Sequence, residues 1–127
     1  IPMSLASFFT DETEMDSEVI FRADDMPDLG THPISYRLVG HSRANRAIGM
    51  MQEILPPGAD TGDDMLSHEG EECGIVIRGQ VEVTVGEQVH LLAPGDGYYF
   101  DSRTPHRFRN VGDQECVLIS ANTPASF

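Results

Sequence analysis

Several residue types and segments are missing from this chain, and each absence excludes a class of protein. Its 127 residues include neither tryptophan nor lysine, so all eight basic residues are arginine. No apolar run reaches the roughly 18 residues that a membrane-spanning helix needs. The first residues have no basic region of the kind that opens a signal peptide. These absences predict a cytoplasmic protein without membrane association, and the non-Met first residue predicts a piece of a longer protein.

Cysteine is scarce. The chain has only Cys73 and Cys116, both in apolar surroundings and without Cys-x-x-Cys spacing. We interpret them as two reduced core thiols of a cytoplasmic protein. A disulfide between them stays open at this point, because it depends on a distance that the sequence does not give.

Positive charge is also scarce. The 21 acidic residues outnumber the 8 basic ones, and the formal net charge is −13 at pH 7. A surface of this sign repels the phosphates of DNA and RNA. We therefore expect the chain to bind no nucleic acid by itself, although a basic domain outside it could do so.

The length favours a single domain with its own hydrophobic core. Acidic residues are concentrated before residue 33, and residues 11–32 fit an acidic linker or arm. Within that arm, residues 19–21 form an apolar island that fits an edge strand. From there on the pattern changes, and the folded domain is predicted to span residues 33–127.

Short apolar or alternating segments follow one another through this domain, separated by Gly, Pro and Asp. Such segments favour strands. They are residues 34–38, 48–55, 74–78, 81–85, 89–92, 98–100, 107–110 and 116–120. We therefore predict an all-β domain, either a sandwich or a closed barrel, whose mouth leaves room for one ligand.

Three residues offer metal-binding chemistry. His68 and Glu72 are four positions apart, so in an extended chain their side chains point to the same side. His106 follows after a strand and two turns and can return to the same place. Two imidazoles and one carboxylate suit Fe, Mn, Ni or Zn as divalent ions. The alternative is that the three hydrogen-bond one another or an organic ligand.

Residues 60–79 resemble the first motif of the cupin superfamily. Counted back from Gly79, Glu72 takes the Glu position and His68 takes the second His position. The first His position is Leu66, where many cupin enzymes have a fourth metal ligand. The resemblance implies a site of three ligands with one apolar wall.

Residues 95–110 resemble the second cupin motif, through Gly95, His106 and Asn110. The two motifs together imply the cupin double-stranded β-helix, or jelly-roll barrel, with a short helical or extended arm before it. Two positions depart from the second motif, namely Asp101 in place of Pro and Arg103 in place of Gly.

A finer resemblance extends over the whole chain. The runs His-Glu-Gly-Glu-Glu-Cys-Gly-Ile-Val-Ile-Arg-Gly, Tyr-Phe-Asp-Ser-Arg-Thr-Pro-His-Arg-Phe-Arg-Asn and Ala-Asn-Thr-Pro-Ala-Ser-Phe are similar to the C-terminal cupin domain of XRE-type helix-turn-helix regulators. This resemblance implies that residues 1–10 are the remnant of an upstream helix-turn-helix domain. It also implies that DNA is bound only through that domain.

Further residues are expected to contact a ligand. Aromatic side chains fit a pocket wall, and Arg78 fits an anionic ligand. Glu53 and Asp101 suit an amine instead, so the charge of the ligand stays open, and His90 is expected on the surface. Asn110 is also a candidate, although a role in supporting a turn fits it better. The full set is Leu66, Tyr98, Phe100, Phe108, Arg78 and Asn110.

Three functions of different class fit these residues. The first is a non-enzymatic sensor that binds a small-molecule effector in the barrel and shifts a homodimer, which changes DNA binding upstream. The second is a small metal-dependent enzyme, such as a dioxygenase or an isomerase, with substrate at the open metal positions. The third is a stand-alone storage or scaffold cupin. The cupin resemblance implies a homodimer under all three, with barrels paired edge to edge so that exposed strand edges are covered.

Overall fold

The fold is known from a computed structural model, which describes residues 19–62, 65 and 67–125. Two antiparallel sheets face each other, one of five strands and one of three. A short 3₁₀ helix at Ala23–Asp25 precedes them. The strands are β1 Ser35–Val39, β2 Gly49–Leu55, β3 Glu71–Arg78, β4 Val81–Val85, β5 Gln88–Leu92, β6 Gly97–Asp101, β7 His106–Arg109 and β8 Cys116–Thr123.

The order of the strands places segments that are distant in sequence side by side. The larger sheet has the order β1-β2-β8-β3-β6, and the smaller sheet has the order β5-β4-β7. Strand β3 therefore lies between β8 and β6. This arrangement confirms the predicted all-β jelly roll, since the chain crosses repeatedly from one sheet to the other.

The core lies between the inner faces of the two sheets. Along β2 and β4 every second residue is buried or nearly so, as the alternation of the sequence predicts. Leu55, Val81 and Leu118 are fully buried there. Phe100 and Phe108 close the same cluster from β6 and β7, so the aromatic part of the core lies beside the residues with metal-binding chemistry.

The expected edge strand at residues 19–21 is wrong. The structure has no strand there, and the edge of β1 is occupied further along the chain. Asp28 forms an isolated bridge with Arg37, and the N–H of Leu29 donates to the carbonyl of Tyr36 at 2.8 Å. The β1 edge has its partner in residues 28–29, so part of the acidic arm packs on the barrel.

Both cysteines are free thiols, as predicted. Cys116 is buried in the core as predicted, but the predicted core position is wrong for Cys73, which is half-buried on the outer face of β3. Within the described part of the chain, none of the helical segments has the length and apolarity needed to cross a bilayer.

Candidate metal and effector site

His68, Glu72 and His106 come together at one end of the barrel. Each offers one ligand atom, and these atoms all lie within 4.8 Å of one another. The two imidazole rings meet edge to face, with their centroids 5.2 Å apart. His68 belongs to the loop before β3, Glu72 is the second residue of β3, and His106 begins β7. Three donors of this kind at this spacing can surround one divalent ion.

Backbone hydrogen bonds hold the two loops that carry the histidines against each other. The N–H of His68 donates to the carbonyl of Ser102 at 2.9 Å, and the N–H of Ser102 donates to the carbonyl of Gly70 at 2.8 Å. Gly70 has a φ of +104°, and a Cβ there would overlap the carbonyl oxygen of Thr123. Only glycine fits this close approach, which lets the chain turn sharply between His68 and Glu72.

The histidine rings are oriented for metal binding through Nε2. The Nδ1 of His106 lies 2.9 Å from the carbonyl of Thr104, and the Nδ1 of His68 lies 3.3 Å from the carbonyl of Glu69. A metal-binding histidine usually has its other nitrogen on such a carbonyl. The Nε2 of His106 is buried without a hydrogen-bond partner. Buried polar atoms in native proteins nearly always have a partner, and a metal ion would be one for this nitrogen. The residues present therefore fit a metal ion.

Glu72 is held by Tyr98 from the neighbouring strand β6. The Tyr98 hydroxyl donates to Oε2 of Glu72 at 2.8 Å, which leaves Oε1 for a metal or ligand. Burial raises the pKa of Glu72, while the hydrogen bond from Tyr98 and the nearby His106 and His68 oppose that rise. Burial and the charge of Glu72 raise the pKa of Tyr98 far above its usual range. Tyr98 therefore remains a proton donor at any physiological pH.

Glu53 is a second acid inside the barrel. It is buried on β2, and its Oε2 accepts a hydrogen bond from the hydroxyl of Ser120. Burial raises the pKa of Glu53 to about 7, the Ser120 hydrogen bond opposes that rise, and the charge of Glu72 adds to it. Burial and then these two acids raise the pKa of Tyr36 to about 12. Two acids thus lie inside the barrel, and a bound cation would favour their charged forms.

A cavity of about 620 Å³ opens between the edge strands β5 and β6. Tyr98 and Phe100 line it from β6, and His90 and Gln88 line it from β5, with Nε2 of His90 3.1 Å from Oε1 of Gln88. The ring of Phe100 also lies 4.7 Å from the ring of His106. Tyr98 and Phe100 therefore contact both the cavity and the His68–Glu72–His106 cluster.

The other predicted ligand contacts divide into two groups. Tyr98, Phe100 and Phe108 form one aromatic cluster beside His106, with ring centroids 5.2 to 6.5 Å apart for the pairs that include Phe108. The structure does not bring Arg78 to this cluster. Its exposed side chain forms an ion pair with Glu115 at 2.7 Å near the end of β3.

Asn110 and Leu66 complete the predicted set. The side-chain amide of Asn110 is buried, donates to the carbonyls of Leu55 and Gln114, and accepts from the N–H of Gly112. It fixes a turn, which is the alternative that the sequence favoured. Leu66 lies outside the described residues.

Sequence reasoning missed two features of this region. Glu53 entered only as a hint about ligand charge, although alternation with the buried Met51 and Leu55 on β2 places it inside the barrel. His90 is exposed as expected, but it pairs with Val83 on β4 and lines the cavity. Both could have been found by following the two-residue period of the strands.

Comparison with known proteins agrees with this geometry. The family described as "Cupin_2: Cupin domain" matches residues 51–122. The HTH-type transcriptional regulator PuuR of Escherichia coli (strain K12) is 34% identical over 126 residues, which are 98% of this chain and 68% of PuuR.

Two solved structures show the same fold. The Cupin_2 domain of an XRE family transcriptional regulator from Enterobacter cloacae is 23% identical, with a TM-score of 0.63 over 71% of this chain and 95% of that one. Ectoine synthase from P. lautus is 15% identical, with a TM-score of 0.71 over 84% of this chain and 78% of that one. A regulator and an enzyme thus share this fold, so the fold does not distinguish between them. The 34% sequence identity over 98% of this chain is to a regulator, PuuR. The chain therefore belongs to the cupin family and, within it, to the family of transcriptional regulators that includes PuuR.

Proposed function

We propose that the chain is the effector-binding domain of a bacterial transcriptional regulator, and that His68, Glu72 and His106 hold a divalent metal at its ligand pocket. The observation that carries the first part is the 34% identity to PuuR over 98% of the chain. An alignment of that length includes the arm, the barrel and the site. The second part is supported by the buried, unpartnered Nε2 of His106.

The chain's own residues have separate roles in this pocket. His68 and His106 present Nε2, because their Nδ1 atoms face carbonyls. Glu72 presents one carboxylate oxygen, because Tyr98 holds the other. A metal bound by these three would supply a positive charge with open positions for oxygen or nitrogen atoms of an effector. Phe100 and Tyr98 form the apolar wall against which the rest of the effector packs.

Signal transmission needs two states of the protein that bind the effector unequally. The pocket lies between the two sheets, so an effector that contacts both β6 of the larger sheet and His106 on β7 of the smaller sheet changes how the sheets sit against each other. We propose that this change is passed on through a homodimer. In this proposal residues 1–10 continue into a helix-turn-helix domain of a cytoplasmic regulator, and that domain alone contacts DNA.

A second candidate function is a metal-dependent enzyme. It is favoured by the three-ligand cluster with open positions and by Glu53, whose pKa of about 7 suits a general base. An oxygen electrode separates the two functions for the dioxygenase case. The regulator proposal predicts no oxygen uptake when the Fe(II)-loaded chain is mixed with a cell metabolite extract. Sustained uptake that His68→Ala abolishes would establish the enzyme instead.

The regulator proposal is tested with the complete gene product that contains this chain. We expect immunoprecipitation from cells to enrich discrete DNA sites whose half-sites lie about one helical turn, or 34–36 Å, apart. The chain alone is the matched control. Because its net charge is −13, it should enrich no DNA site. Enrichment of no discrete site by the complete protein would contradict the proposal.

A further inference from the structure

The loop between β1 and β2 is a basic patch on an acidic chain. Residues 29–52 contain three arginines and no acidic residue, although the whole chain has a formal net charge of −13. Two of these arginines, Arg43 and Arg46, lie in the connection at residues 40–48, here called the arginine loop. The arginine loop is therefore a local positive charge that attracts negative groups.

The two arginine side chains of the loop start from one place. Gly40 has a φ of +76°, and the N–H of Arg43 donates to its carbonyl at 3.0 Å, so the chain turns sharply there. A Cβ at Gly40 would lie 3.7 Å from Cδ of Arg46 and 3.9 Å from Cδ of Arg43. It would also lie 3.8 Å from Cε2 of Phe21. The turn thus gathers two positive side chains and one aromatic ring of the arm over a single glycine.

Arg46 has a guanidinium nitrogen that needs an acceptor. Its Nη1 is buried, and it has no hydrogen-bond partner among the residues that the structure describes. Burying a charged donor without a partner is costly. Arginines elsewhere on the barrel have acids as partners, namely Arg78 with Glu115, Arg103 with Asp101, Arg107 with Asp60 and Arg109 with Glu82. A carboxylate is the matching partner for Arg46.

A cavity of about 550 Å³ opens beside the arginine loop. Arg43, Arg46 and Ile48 line it from the loop, and Val19 and Phe21 line it from the arm. Val19 is 65% exposed and Ile48 is 59% exposed. No acid is among the described residues that line the cavity. The cavity thus combines exposed apolar side chains with two positive charges, and it fits an anionic partner.

The part of the chain that leads to this cavity is strongly acidic. Residues 11–18, here called the acidic segment, contain five acids and no base. Val19, the next residue, lines the cavity. Consecutive Cα atoms are about 3.8 Å apart, so Asp16 and Glu18 lie within about 12 Å of chain from Val19. Attachment at this distance gives their carboxylates a high local concentration at the cavity.

We propose that the acidic segment binds the arginine loop of its own chain, with its carboxylates at the guanidinium groups of Arg43 and Arg46. Charge favours this occupant over an anion from solution or a second copy of the chain. A chain with a net charge of −13 repels both, whereas the acidic segment is covalently attached beside the cavity. Arginine and carboxylate also form charge-assisted hydrogen bonds of well-matched geometry.

The place of this contact in the chain gives it a regulatory role under the proposed function. The acidic segment lies between the barrel and residues 1–10, which the proposed function assigns to the DNA-binding part. When the segment is held on the arginine loop, the direction in which the chain leaves the barrel is fixed. When it is released, the two parts move independently. The regulatory role rests on the proposed function, whereas the contact itself does not.

The test is ¹⁵N relaxation of the backbone amides of residues 11–18 in the whole chain, without metal or effector. We expect order parameters of about 0.8 in the wild type and below about 0.6 in Arg46→Gln. Arg43→Gln is a second variant, and it should lower them in the same direction. Arg78→Gln removes an exposed arginine elsewhere on the barrel, so as the matched control it should leave them unchanged. Strand resonances at their wild-type positions identify the variants that fold.

A change on the other side of the contact gives a reciprocal readout. Replacing all five acids of the acidic segment with the corresponding amides should lower the order parameters as Arg46→Gln does. Combining the two changes should lower them no further, because both remove the same contact. Salt at about 1 M should loosen the segment in the wild type and have no effect in Arg46→Gln, because it screens the attraction between the charges.

Several outcomes would overturn the proposal. They are wild-type order parameters below about 0.6, no change in Arg46→Gln and Arg43→Gln, or an equal loss in Arg78→Gln. Inorganic phosphate that saturably shifts the Nε–H resonance of Arg46 without loosening the acidic segment would identify an anion from solution as the occupant, and would overturn it too. None of these outcomes involves the metal site, the effector or DNA, so failure here is distinguishable from failure of the proposed function.

Discussion

Tyr98 donates its hydroxyl hydrogen to Oε2 of Glu72 at 2.8 Å, across the ladder between β6 and β3. The same ring stacks on Phe100 and lines the 620 Å³ cavity. One side chain thus orients a metal-ligating carboxylate and forms part of the effector wall. This relationship joins the two halves of the proposed site.

Replacing Tyr98 with Phe should weaken metal binding about 10- to 100-fold, as is typical for loss of a group that orients a ligand. The hydrogen bond from Tyr98 lowers the pKa of Glu72, so its loss raises that pKa. Because Glu72 binds metal as a carboxylate, the variant should lose metal at a higher pH during acidification. Competition with a chromophoric chelator across a pH series measures both effects. Tyr99→Phe, on the outer face, is the matched control, and an equal loss in that control would contradict the assigned role.

Glu53→Gln should stabilise the metal-free protein at alkaline pH. The folded state raises the pKa of Glu53 from 4.5 to about 7, so it binds more protons than the unfolded state between these values. Wild-type stability therefore falls as pH rises through this window, by up to about 3 kcal/mol. Gln does not titrate and can still accept from Ser120. Urea denaturation with a chelator present should show a variant more stable than wild type above pH 7, with the gain nearly absent at pH 4.5. A gain of equal size at both pH values would be inconsistent with a buried, titrating Glu53.

Asn110→Ala should lower the free energy of unfolding by about 2–4 kcal/mol, because it leaves the buried carbonyl of Leu55 and the partly buried carbonyl of Gln114 without their donor. Chemical denaturation measures the loss. Gln114→Ala keeps the backbone carbonyl and removes only an exposed side chain, so it should change stability by less than about 0.5 kcal/mol. Metal affinity should stay at the wild-type value in both. A stable Asn110→Ala variant with weakened ligand binding would contradict this structural role and indicate that Asn110 contacts the ligand.

Strands were predictable from the sequence where one face of the strand is buried and the other is exposed to solvent. Val81–Val85 was placed with both ends correct, because Val alternates with Glu and Thr over the whole strand. Strand β8 runs three residues beyond its expected end at Ser120, since its continuation as Ala, Asn and Thr has no apolar alternation. The apolar island at residues 19–21 failed as a strand because apolar composition does not reveal which segment occupies the β1 edge.

The site was predictable to the extent that the motifs describe it. The spacing of His68, Glu72 and His106 in the sequence predicted that they lie together, and the structure places their donor atoms within 4.8 Å of one another. The partners that orient them are backbone carbonyls and Tyr98, and a carbonyl has no residue type that a sequence pattern can signal. Arg78 was nominated by charge alone, and its partner Glu115 lies 37 residues away, where only the fold brings it near.

The central claim is that His68, Glu72 and His106 form the metal-binding part of the effector pocket. The most direct measurement is titration of the metal-free chain with Zn²⁺, in competition with a chromophoric chelator, for the wild type, His68→Ala and His90→Ala. His90 is the matched control, since it is an exposed histidine outside the cluster. We predict one tight site per chain in the wild type and in His90→Ala, and loss of that site in His68→Ala. No tight site in the wild type, or a site that survives in His68→Ala, would contradict the account.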